Sequence, residues 1–131
     1  RAAEKELQQK AVMLLPPSLR EGFLDVYRQI RARLHDRSLF SRKVLLEEVF
    51  GHYGRRIDPS LIEQWETGYW ERIKAMTRPF PETETVLEAL LARGYRLALI
   101  TNSQGQRPEE RHRLSNYPEL ERFFEVIEYR L

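Results

Sequence analysis

The stretch Tyr95-Arg96-Leu97-Ala98-Leu99-Ile100-Thr101-Asn102-Ser103 decides the fold. Leu97 to Ile100 has no polar member, and the run is entered from a helical pattern that ends in Gly94. A continuous apolar run in that setting predicts a strand buried on both faces of a parallel sheet. It ends in Thr101-Asn102-Ser103-Gln104-Gly105, a polar, turn-forming cluster. In open α/β sheets the carboxyl ends of the strands are where ligands bind. A hydroxyl and free backbone N–H groups at such a place can hold an anion such as phosphate. An ordinary strand-to-helix turn uses the same residue types, so the polar cluster alone does not choose between the two.

Upstream, Arg78-Pro79-Phe80-Pro81 is a proline-punctuated boundary. A short helix is predicted over about 82–93, with Val86, Leu87, Leu90 and Leu91 as its apolar residues and Gly94 as its stop. Downstream, a helix is predicted from about Pro108, interrupted near Asn116-Tyr117-Pro118, and Phe123 to Tyr129 alternates like a second strand. Helix, strand, helix, strand is α/β grammar with a right-handed parallel crossover. Two strands are too few to bury Leu97–Ile100 on both edges, so missing core segments or another chain are expected to pair with it.

The first half reads differently. Ala3, Leu7, Ala11 and Leu14 mark a helix that stops at Pro16-Pro17. Ser18-x-x-Glu21 reads as a capping box opening a second helix with Leu19, Phe23, Val26, Ile30 and Leu34 on one face. A third spans about 41–53 with Leu45, Leu46, Val49, Phe50 and Tyr53, and Gly54 as C-cap. Asp58-Pro59 opens a fourth, whose face is Ile62, Trp65, Tyr69, Ile73 and Met76. Four such helices with short links predict a small antiparallel bundle. The expected domains are therefore 1–78, helical, and 79–131, part of a Rossmann-like parallel sheet.

The chain has 131 residues, 41% apolar and 32% charged, a globular composition. No apolar run approaches the roughly 20 residues of a membrane span. With no signal-peptide pattern either, the expected location is the cytoplasm. The absence of cysteine removes disulfides, thiolate metal sites and cysteine nucleophiles. There are 17 Glu but only three Asp, namely Asp25, Asp36 and Asp58, so aspartate chemistry has few candidates. Net charge is +2, modest for a nucleic-acid binder. Arg1 in place of Met, with a helical pattern from the next residues, leads us to expect a longer parent.

The string Pro81-x4-Val86-Leu87-x2-Leu90-x3-Gly94-Tyr95-x-Leu97-Ala98-Leu99-Ile100-Thr101-Asn102-Ser103 resembles the second motif region of the haloacid dehalogenase-like (HAD) phosphohydrolase superfamily. The upstream helices look like that superfamily's inserted helical cap, and Phe123 to Ile127 looks like its next strand. The opening Arg1 to Lys5 is similar to the helix after its first motif. The resemblance implies a Mg²⁺-dependent phosphatase acting on a small phosphorylated metabolite through an aspartyl-phosphate, with dehalogenation as a minority chemistry. It implies phosphate contacts from the Thr101 hydroxyl and the Asn102 backbone amide. It also implies a nucleophilic aspartate, and here none of the three Asp lies in an apolar-strand Asp-x-Asp context. Lys5, Lys10, Lys43 and Lys74 all precede the second motif, so the family's downstream Lys and acidic pair are missing, and no Mg²⁺ ligand is identified. The nucleophile is expected upstream of Arg1. A rival reading is a non-catalytic helical interaction module, or an inactive HAD-like fragment, whose Leu97–Ile100 strand pairs with another chain.

Other groups are weaker candidates. Arg28, Arg31, Arg33, Arg37, Arg42 and Lys43, with Arg55-Arg56 nearby, form a basic stretch. Near-neutral net charge and the lack of interleaved aromatics favour a balanced helix surface over a nucleic-acid site. His35, His52 and His112 have no metal-ligand spacing. Trp65 and Tyr69 are expected in the bundle core, and Trp70 lies off that stripe, with core or interface packing preferred to a cleft. Glu47-Glu48 and Glu109-Glu110 are adjacent in sequence only and make poor acid/base pairs.

Overall fold

The computed structural model describes residues 1–102 and 113–130. The chain divides into two compact units, Arg1–Arg72 and Ile73–Leu131. It is largely helical with a small parallel sheet, so the α/β class holds in this coarse sense.

The first unit holds α1 (Ala2–Met13), α2 (Phe23–Asp36), α3 (Arg42–His52) and α4 (Pro59–Met76) as far as Arg72. The ion pair Glu6–Arg72, and Lys10 lying over Gly68, set α1 antiparallel to α4. The Phe23–Tyr53 ring stack and the Arg33–Glu48 pair do the same for α2 and α3. The core consists of Leu7, Ala11 and Leu15, then Phe23, Tyr27, Ile30 and Leu34, then Leu45, Leu46, Val49 and Phe50, closed by Ile62, Trp65, Tyr69 and Trp70.

Helix ends follow local chemistry. Asp58 accepts a hydrogen bond from the Ser60 backbone N–H at 2.9 Å, the N-cap contact expected before Pro59. After α2, Ser38 stands at φ 56°, and the Leu39 N–H reaches back to the Leu34 carbonyl at 2.9 Å. That is a Schellman turn with serine in the left-handed position that glycine usually fills. Gly54 ends α3 in the same way.

The capping box at Ser18 and Glu21 does not form. Pro17–Leu19 is a short 3₁₀ turn, and α2 starts only at Phe23, after Gly22 at φ 76° with no side-chain cap. The two prolines hold the chain in turn geometry, and the Arg20 guanidinium Nε–H donates to the Leu15 carbonyl at 2.9 Å. Leu19 is consequently exposed, and the buried stripe of α2 runs through Tyr27 with Val26 only half-buried. The stripe of α4 is also rotated, to Ile62, Trp65, Glu66, Tyr69 and Trp70, leaving Met76 exposed.

In the second unit, α5 (Thr83–Ala92) ends in another Schellman turn, with Gly94 at φ 85° and the Tyr95 N–H on the Leu90 carbonyl. The chain then enters β1 (Ala98–Asn102), which pairs in parallel with β2 (Val126–Arg130). A 3₁₀ turn at Arg113–Asn116 and the short α6 (Pro118–Glu121) precede β2, and the predicted helix from Pro108 falls largely outside the described residues. Arg122 locks this assembly: its guanidinium lies 4.0 Å from the centre of the buried Phe123 ring and pairs with Glu84 and Glu88, one turn apart on α5. Arg96 pairs with Glu125 where the two strands begin.

Burial of the β1 strand on both faces is not what the structure shows. Register places Ala98 beside Val126 and Ile100 beside Glu128 on one face, and Leu99 beside Ile127 on the other. The second face is half-buried, whereas Ile100 is 63% and Val126 59% exposed. Alternation in a strand forces this split once only one face is covered.

Candidate functional site

Thr101 and Asn102 are the last two residues of β1, opposite Tyr129 and Arg130 of β2. Because the strands are parallel, both carboxyl ends open on the same edge of the sheet. Thr101 is half-buried, on the face it shares with Leu99. The turn that would supply further N–H donors, from Ser103 to Gly105, lies outside the described residues, as do Glu109-Glu110 and His112. What the described part offers is one hydroxyl and main-chain groups at a strand end, suited to binding oxygen anions and without an acid/base pair.

Asp25 lies in the first turn of α2, Asp36 at its last residue, and Asp58 at the cap of α4. All three belong to the Arg1–Arg72 unit, whereas Thr101 belongs to the other. Among the described residues no three His, Asp or Glu side chains gather into a metal-holding group. Among the described residues, those at the β1 end supply no carboxylate set that fits a magnesium site.

The most organised polar cluster lies in the helical unit, and the sequence pattern did not reveal it. The Glu4 carboxylate, 15% exposed, accepts from the Tyr27 hydroxyl at 2.6 Å, from Arg42 at 3.1 Å and from Arg31 at 3.4 Å. Arg42, 13% exposed, also lies 3.8 Å from the centre of the Tyr69 ring and 5.8 Å from that of Trp70. Four helices thus meet on one carboxylate and one guanidinium. Burial pushes the Glu4 carboxyl up, but Arg42, the Tyr27 hydrogen bond and Arg31 outweigh it and hold it below the usual range. Burial first, then the Glu4 carboxylate, push the Tyr27 hydroxyl well above the ordinary tyrosine value. His35 is lowered by burial and by the Arg31 and Arg42 charges, and its ring packs 4.7 Å from Phe40. Tyr27 and Arg31 are four apart on one helix face, a visible spacing. Their partner Glu4, more than twenty residues away, is not visible from spacing.

Ion pairs, two of them within this cluster, engage most of the basic stretch. Arg31 and Arg42 pair with Glu4, Arg33 with Glu48, Arg28 with Asp25 and Lys43 with Glu63. Each of these five cations is engaged by a carboxylate. Trp70 packs in the core at 5% exposed, edge-on to Tyr69. His52 rests edge-on against Tyr53 on the surface. Glu48 is engaged by Arg33 while Glu47 points to solvent. No helix among the described residues is long and apolar enough to cross a membrane.

Compared with known proteins, the chain matches no family model, no curated protein and no solved structure.

Proposed function

We propose that this chain carries the helical cap and the second-motif strand of a HAD-like phosphohydrolase acting on a small phosphorylated metabolite. One observation supports the reading above others. An apolar strand, entered from the Gly94-terminated helix α5 and paired in parallel with β2, delivers Thr101 and Asn102 to the carboxyl edge of a sheet. At that edge the Thr101 hydroxyl donates to one phosphoryl oxygen and the Asn102 backbone N–H to another, offsetting negative charge without a cationic side chain. None of Asp25, Asp36 and Asp58 stands on a strand, so this reading takes none of them as the nucleophile and would need an aspartate from elsewhere. A Mg²⁺ ion would further neutralise phosphate charge in such an enzyme, and the described residues supply no ligand set for it.

The second edge of β1, which among the described residues pairs only with β2, favours a second reading, a non-catalytic module whose β1 strand pairs with another chain. The two separate in one assay. Mg²⁺-dependent hydrolysis of p-nitrophenyl phosphate is measured for the longest natural protein containing this sequence and for residues 1–131 alone. Hydrolysis by the longer protein only is the expected result. Hydrolysis by neither overturns the enzymatic reading in favour of the module.

A further inference from the structure

No further inference is drawn: the strongest candidate, the open apolar face of the β1–β2 sheet at Ala98, Ile100 and Val126, carries nothing because nothing in the structure shows what covers it, while the groove along α4 beside Lys10 is a solvated helix face and the Arg31–His35–Arg42 group is already held by Glu4.

Discussion

Replacing Glu4 by alanine removes the one carboxylate on which Tyr27, Arg31 and Arg42 converge. Arg42 is 13% exposed, and stripping the partner from a buried pair costs about 3–5 kcal/mol. The lost Tyr27 hydrogen bond adds about 1 kcal/mol. Arg31, 36% exposed, adds less than about 1 kcal/mol because solvent screens it. Both buried partners keep some access to water, so the lower end of the pair's range applies, and the total loss is about 4–5 kcal/mol. Urea unfolding at pH 7, followed by tryptophan fluorescence, reads this directly, since Trp70 sits beside Arg42. Glu6→Ala is the internal control: its pair with Arg72 is 45% exposed on both sides and should cost less than about 1 kcal/mol. The pH dependence has a defined sign. A carboxyl held below its unfolded value contributes fully above that value and loses the contribution as pH falls through its folded pKa. Stability should thus decline with acid in the wild type, and less steeply in Glu4→Gln. If Glu4→Ala costs no more than Glu6→Ala, the cluster does not hold the helices together and the reasoning is wrong.

Other perturbations follow from backbone geometry and local charge. Gly94→Ala forces a Cβ into φ 85° and should destabilise by about 1–2 kcal/mol, although nothing lies within 4 Å to clash. Gly68→Ala should go the other way, gaining about 1 kcal/mol in a helix interior where only the Lys10 ammonium is near. Ser38→Gly relieves a left-handed serine and should stabilise by about 0.5 kcal/mol after the entropy that glycine adds to the unfolded chain, read as a raised urea midpoint. NMR titration should place the His35 midpoint below that of a free histidine, and Arg31→Gln should move it upward.

The helices were legible because their apolar spacing, the Asp58-Pro59 start and the Gly54 and Gly94 stops are local signals. The parallel pairing of the two strands was legible from the crossover grammar for the same reason. The positions that depart from the pattern are those where a contact outside the pattern, near or far in sequence, overrides it. Ser18-x-x-Glu21 has the letters of a capping box, but Pro16-Pro17 and the Arg20–Leu15 contact hold a 3₁₀ turn there instead. Tyr27 displaced Val26 from the core stripe because its hydroxyl has a carboxylate to reach, and that carboxylate is on another helix. The apolar run Leu97–Ile100 has the composition of a doubly buried strand, and such a run reports what a strand would bury rather than what covers it. At the candidate site the sequence placed Thr101 and Asn102 at a strand end.

The most direct test of the central claim is the value of kcat/KM for p-nitrophenyl phosphate, with Mg²⁺, in the natural protein containing this chain and in its Thr101→Val variant. Valine keeps the shape and strand propensity of threonine and removes only the hydroxyl. The account predicts a loss of roughly 100- to 1000-fold, the effect of deleting one hydrogen-bond donor to a developing oxyanion, with activity largely recovered in Thr101→Ser. An unchanged rate in Thr101→Val, or no hydrolysis by the wild type, would contradict it.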